Sequence, residues 1–297
     1  MDCLRVFNGM VDHAMNYFRE NNLHAAVLGI SGGIDSTVVA YIFNEVEKRF
    51  NDENYSFRFV GISMPTETTD KDEFRISELV GHAFCPMDFK IMDITQEATA
   101  ITVPFIPFSP EWKNKFRLGN VKSRLRMIHL YDLANAYGGI VLGTDNYTEK
   151  LLGFSTIGGD ALADYMPIQY FWKTQVYRLA DYLLKKYKEE DNLPAMNAMY
   201  QSINLKPQDG LGISTSDMDQ IGAKNYFEVD DILQTYERYD EYRNMGGHDT
   251  PEIKTQMFND VTALYGNISV RNVIMRREKN FKLKLPLEFI PDVERYW

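Results

Sequence analysis

The chain has 297 residues and a formal net charge of −10, with an aromatic share of 13%. That length holds one large α/β domain or two small ones with a full core, and the composition excludes a disordered chain. The acidic balance disfavours broad nucleic-acid binding, and two cysteines, Cys3 and Cys85, make neither a disulfide framework nor a zinc site. Residues 3–21 read as an amphipathic helix, with Leu4, Phe7, Val11, Ala14, Met15 and Phe18 on one stripe. The apolar run 25–30 reads as a buried parallel strand, followed by a Ser/Gly turn and a helix over about 36–50. A strand over 57–63, a helix over 70–84 begun by Asp70 or Thr69, and a strand over 89–94 follow. This βαβαβ alternation predicts a parallel sheet with right-handed crossovers. Residues 102–112, with three prolines, read as loop, 121–137 as helix, and 140–143 as a fourth strand. Helices are expected over 173–188, 226–242 and 261–279, the last broken near Gly266-Asn267, and 191–216 reads as loop-rich. No apolar run reaches a membrane span and no charged-then-apolar leader pattern opens the sequence, so a reducing cytoplasm is the expected setting.

The most informative segment is Gly29-Ile30-Ser31-Gly32-Gly33-Ile34-Asp35-Ser36. A strand, a tight glycine turn and a helix start in succession make an anion site: free backbone N–H groups converge there and the helix dipole favours negative charge. The pattern is neither GxxxxGK[ST] nor GxGxxG; SGGxDS resembles the pyrophosphate loop of the N-type ATP pyrophosphatases. A ligand in a parallel α/β sheet lies at the carboxyl ends of the strands. The fourth strand ends there in Gly143-Thr144-Asp145-Asn146, with Glu149 just beyond. Asp35 and Glu149 are therefore a candidate pair of Mg²⁺ ligands, with Asp35 otherwise a helix-start residue. Arg124 and Arg126, two apart on a helix, point to different faces, so at most one lies along a given ligand direction; a solvated surface position suits Arg126. The glycine-rich acidic stretch from Gly153 to Ile168 leads to Lys173 and is placed to receive a second substrate, or else is a long connection.

Taken together, SGGIDS, GNVKSRLRM, VLGTDNYTE, GFSTIGGDALADYMPI and the lysine of FWKTQV resemble, in order and spacing, the ammonia-dependent NAD synthetase family. The likeness continues weakly through residues 230–233 and 281–286. It implies an α/β fold, a parallel sheet flanked by helices of the adenine nucleotide alpha hydrolase kind. One domain is expected over 1–297, with a core over 22–190 and a helical part over 217–285. It further implies ATP as substrate, bound by Gly29, Ile30, Ser31, Gly32, Gly33, Ile34, Asp35, Ser36, Thr144 and Lys173, with Mg²⁺ on Asp35 and Glu149. Nicotinic acid adenine dinucleotide would meet Arg124, Asp164, Phe281 and Lys282, and the catalytic set would be Asp35, Asp164 and Lys173. Asp164 is the expected acceptor of the proton from ammonium, ahead of Asp160. A homodimer is implied, with the first helix or the 121–137 helix at its interface, and no nucleic acid or membrane partner. The implied reaction adenylates the acid, releases pyrophosphate, and lets ammonia displace AMP.

Two departures stand out. Ile157 occupies a place where the family carries lysine, and Pro207-Gln208-Asp209-Gly210-Leu211 replaces a Pro-Thr-x-x-Leu segment. The first removes a cation expected beside an acidic substrate. The alternatives are a related ATP pyrophosphatase acting on another small acid or a tRNA base, and a non-catalytic nucleotide-binding subunit.

Overall fold

The structure, a computed structural model, describes residues 1–101, 111–207, 216–248 and 250–284, without the side chains of 112 and 280–284. Four parallel strands form its sheet: β1 (Ala25–Gly29), β2 (Arg58–Ser63), β3 (Phe89–Ile91) and β4 (Ile140–Leu142), in the order β3-β2-β1-β4. Val27 stands beside Val60 on one side and Val141 on the other. The chain winds outward from β1 to β3 and then returns to place β4 on the opposite side of β1. That reversal opens a crevice at the carboxyl ends of β1 and β4.

Side chains alternate across the strands, so β1 feeds two cores. Ala26 and Leu28 pack with α1 (Cys3–Glu20), α2 (Ile34–Asp52), α3 (Lys71–Phe84), α7 (Lys173–Glu189) and α8 (Leu193–Asn204). Val27 packs on the other face with α4 (Thr95–Ile101) and α5 (Glu111–Tyr137). The expected stripe of α1 is used inside the molecule: Phe7, Val11, Ala14, Met15 and Phe18 are buried in the first of these cores, whereas Leu4 is exposed.

Three elements depart from the sequence reading. α5 begins ten residues early, at Glu111 rather than 121; its first ten residues set Trp112, Phe116 and Leu118 among polar and charged residues and contain Gly119, which weakens the helical signal. The rest of the proline stretch, 102–110, lies outside the described residues. α8 lies in the segment read as loop-rich. Its start has a recognisable chemistry, with the Asn192 side chain accepting from Ala195 N and Pro194 in the first turn. The last expected helix is two, α11 (Pro251–Tyr265) and α12 (Asn267–Lys284), parted at Gly266 as the break suggested. Those two, with α6 (Tyr147–Leu152), α9 (Asp217–Ile221) and α10 (Tyr226–Asn244), close around Val229, Ile232, Leu233, Phe258 and Val273 as a separate apolar cluster. Among the described residues no helix is long and apolar enough to cross a membrane.

Candidate active site

The turn after β1 is built around a positive φ. Gly32 has φ +88°, and a Cβ there would stand 2.6 Å from the carbonyl oxygen of Glu73 and 2.9 Å from the amide nitrogen of Ser77. Only glycine fits both the conformation and the approach of α3. Gly33 N donates to Ser31 Oγ at 3.2 Å, Ser31 Oγ lies 3.0 Å from Ser36 Oγ, and Ser36 Oγ donates to Gly33 O at 3.0 Å. This ring of hydrogen bonds holds the turn shut on itself. Thr37 N makes the first intrahelical bond of α2, to Gly33 O at 3.1 Å. The N–H groups of Ile34, Asp35 and Ser36 therefore precede the helical ladder and face the crevice end of the sheet. Residues 29–31 and 33–36 line a cavity of about 300 Å³ there.

Three charged side chains meet beside that loop. Lys173, the first residue of α7, places Nζ 2.5 Å from Asp35 Oδ2 and 2.8 Å from Glu149 Oε1, and its side chain is only 4% exposed. Asn146 Nδ2 donates to Asp35 Oδ1 at 2.9 Å, fixing the other carboxylate oxygen. Glu149 is set by the start of α6: Asn146 Oδ1 accepts from Glu149 N at 3.0 Å, and Asn146 N donates to Glu149 Oε2 at 3.3 Å. Below the ammonium lies the ring of Tyr226, its centroid 5.0 Å from Nζ. Burial works against a charged Lys173, but Asp35 and Glu149 outweigh it and hold the ammonium well above the ordinary lysine range. Burial likewise pushes the Glu149 carboxyl up to about 7, against the pull of Lys173.

The far wall comes from α5 and the stretch between α6 and α7. Ser123 Oγ donates to Asp160 Oδ1 at 2.7 Å, and Thr156 N donates to the same oxygen at 2.7 Å. Arg126 and Asp160 both line the cavity. Asp145, next to Thr144 at the end of β4, lines it too; burial, then Asp160 and Glu149, push its carboxyl well above the ordinary aspartate range.

A sheet-edge anion loop joined to a carboxylate–lysine cluster is nucleotide chemistry, and a family model for NAD synthase matches residues 6–270. The chain belongs to the NAD synthase family. It is 35% identical over 210 residues to the NH(3)-dependent NAD(+) synthetase of Thermoplasma volcanium, a match that covers 71% of this chain and 76% of that protein. Among solved structures, NMN synthetase from Francisella tularensis aligns over 96% of this chain and 94% of its own, with TM-score 0.69 and 20% identity. The NH3-dependent NAD synthetase of Campylobacter jejuni aligns over 96% and 97%, with TM-score 0.62 and 24% identity. At such identities these two structures speak for the fold.

In this NAD synthase family member, the expected ATP residues Asp35, Ser36, Thr144 and Lys173 meet at one cavity together with Glu149. Two expected residues stand apart from it. Arg124 is exposed, and its Nε donates to the carbonyl of Ile157 at 3.0 Å. Asp164 has both oxygens engaged: Oδ2 accepts from Val141 N at 2.9 Å and Oδ1 from Tyr131 OH at 3.2 Å, which pins the loop to β4. The side chains of Phe281 and Lys282 lie outside the described residues. The surface position expected for Arg126 does not hold: α5 packs so that Arg126 lines the cavity, its Nε donating to the carbonyl of Met64 at 3.1 Å. The sequence reading passed over Asp145 and Tyr226. Asp145 was legible as the middle of Gly-Thr-Asp-Asn, whereas nothing near Tyr226 in the chain announces Lys173 above its ring.

Proposed function

We propose that this chain makes NAD by amidating nicotinic acid adenine dinucleotide, with ATP and ammonia as co-substrates. The observation that carries the reading is the convergence of the Gly32 turn and the Asp35–Lys173–Glu149 cluster on one cavity, in a chain of the NAD synthase family. The acid is ionised at neutral pH, so the first step needs alignment and charge neutralisation rather than a base. Its carboxylate oxygen attacks the α-phosphorus of ATP. The bond to the bridging oxygen breaks, and pyrophosphate leaves with the electron pair. The amides at the start of α2 and the Lys173 ammonium face that leaving group. In the second step ammonia attacks the acyl carbon, AMP departs, and the nitrogen sheds a proton.

Asp160 is the carboxylate placed to take that proton. Ser123 Oγ and Thr156 N both donate to its Oδ1, and Oδ2 has no protein partner among the described residues. Asp164, the residue expected for this role, is committed to Val141 and Tyr131 instead.

The cluster suits a divalent cation. Two carboxylates from different turns already share one positive centre, and among the described residues no group of three or more His, Cys, Asp or Glu side chains forms a metal cage. Mg²⁺ takes one or two carboxylates and completes its shell with phosphate oxygens and water. Asp35 and Glu149 would hold it, and the ion, when bound, offsets charge on the departing pyrophosphate.

A homodimer interface, if formed through helix faces, falls to α5, where Phe116 is 52% and Ile128 61% exposed. The stripe of α1 is already inside the core.

The test is to incubate the protein with ATP, Mg²⁺, ammonium and nicotinic acid adenine dinucleotide, and to assay AMP and NAD together. Equal formation of both is expected. Because Ile157 supplies no cation, the mononucleotide acid is run in parallel; AMP with that acid alone would move the assignment to a shorter substrate. No AMP with either acid would overturn the enzyme reading.

A further inference from the structure

α5 presents one face to the cavity. Ser123 bonds Asp160, and Leu130, two turns on, lies against Gly29 at the start of the phosphate loop. Arg126 falls between them, at helical spacings of three and four, so its side chain stands between the acidic loop and the nucleotide loop. Its Nε donates to the carbonyl of Met64, just past β2, at 3.1 Å. That bond aims the guanidinium fork along the cavity wall. The two terminal nitrogens donate to no protein acceptor among the described residues, and no carboxylate forms an ion pair with them; Glu73 and Asp160 act on the charge only from a distance.

A guanidinium has five N–H donors, and one is used here. Donors left unmatched in a partly buried site carry a cost that an incoming anion removes. Burial already pulls this guanidinium below the ordinary arginine range. Arg124, two residues earlier, faces away and carries no such strain on its donors.

We propose that Arg126 grips an oxyanion at the junction where the acid substrate meets the α-phosphate of ATP. This deepens the reading of the site given above and rests on it. Two oxyanions come to that junction, a phosphate oxygen of ATP and the carboxylate of the acid. The planar fork suits either, through two parallel hydrogen bonds.

The test uses Arg126→Ala and Arg126→Lys in the full chain. Pyrophosphate release without ammonium reports the first half-reaction, and calorimetry with ATP alone and with the acid alone reports binding. Loss of a charge-assisted fork predicts a fall of about tenfold or more in the first half-reaction for the alanine variant, with partial return on adding guanidinium ion. A weaker ATP isotherm assigns the contact to phosphate; a weaker acid isotherm assigns it to the carboxylate. Arg126→Lys keeps the charge and the fold but not the fork, and should fall between the alanine variant and wild type. Wild-type rates and isotherms in both variants would overturn the proposal, as would a loss matched by a lower melting temperature and untouched by guanidinium. Should the wild-type protein release no pyrophosphate with the acid, the functional reading fails instead. The ATP isotherms still decide Arg126 in that event, since unchanged ATP binding would then count against it.

Discussion

Asp230 sits on α10, far along the chain from the Asp35–Lys173–Glu149 cluster, yet it is 0% exposed and holds the start of α7. Its Oδ2 accepts from Thr174 N at 2.8 Å. Its Oδ1 accepts from Thr148 Oγ1 at 2.5 Å, and Thr148 Oγ1 in turn accepts from Lys173 N at 2.9 Å. The N-cap residue of α7, Trp172, has no capping oxygen of its own, so the first-turn donors of this helix are met from α6 and α10. Asp230→Ala removes two charge-assisted bonds and strands a buried amide, each bond being worth about 1.5–3 kcal/mol against the relief of one buried carboxylate. The expected net loss is about 2–4 kcal/mol, in the upper range of a lost helix cap. Asp230→Asn keeps the shape and one acceptor, and should cost about 1 kcal/mol. Burial raises the Asp230 carboxyl above 3.8, so the native state keeps a proton that the unfolded chain gives up. Wild-type stability therefore declines as pH climbs through that window, and the gap between wild type and Asp230→Asn narrows. Urea unfolding at several pH values, read as a midpoint shift at constant slope, measures all of this. ATP affinity should fall with stability, because Lys173 rides on the first turn of α7. An alanine variant within about 0.5 kcal/mol of wild type would refute the capping argument.

Four further outcomes follow from the site. Gly32→Ala puts a Cβ where backbone stands 2.6 Å away at φ +88°; it should cost about 1–3 kcal/mol and abolish ATP binding by calorimetry, and normal binding would refute the turn's role. Lys173→Met leaves Asp35 and Glu149 facing each other without their cation, a loss of about 3–5 kcal/mol. Adding Glu149→Gln should restore part of it on thermal unfolding, and a double variant less stable than the single would contradict the pairing. Asp145 has its carboxyl raised from 3.8 by burial and by Asp160 and Glu149. The native state thus binds a proton that the unfolded chain has released, stability falls as pH rises from there, and Asp145→Asn should flatten that slope and raise the melting temperature at pH 8; an unchanged profile would speak against it. Asp160→Asn should slow amide formation more than pyrophosphate release, while Asp164→Asn should lower stability and leave the two half-reactions in step; the reverse split would return the proton-acceptor role to Asp164.

The local parts of this molecule were legible in the sequence. A buried strand, two glycines and a helix start are contiguous, so the Ser/Gly turn and Asp35 could be read from one stretch of chain, as could Glu149 from its place just past the fourth strand and the break at Gly266. Each rests on hydrogen bonds or dihedral preferences within a few residues, which composition and spacing report directly. Helix phase told that Arg124 and Arg126 face apart, but the expectation that Arg126 is the solvated one is reversed: Arg124 is exposed and Arg126 lines the cavity. That reversal came from the packing of Leu130 on Gly29 and the bond from Arg126 to Met64. Asp160 and Asp164 share one loop and one chemistry, and only the fold separates their surroundings, by bringing the amide of Val141 and the hydroxyl of Tyr131 to Asp164. The capping of α7 by Asp230 and the seat of Lys173 over Tyr226 join residues that lie 53 or more positions apart or on different helices, where side-chain burial and not local propensity decides the partner. The chain alone thus determined which chemical groups are present and which backbone amides are free to bind an anion. Tertiary packing decided which charges meet, because a buried ion or donor takes whatever partner the folded layers bring within reach.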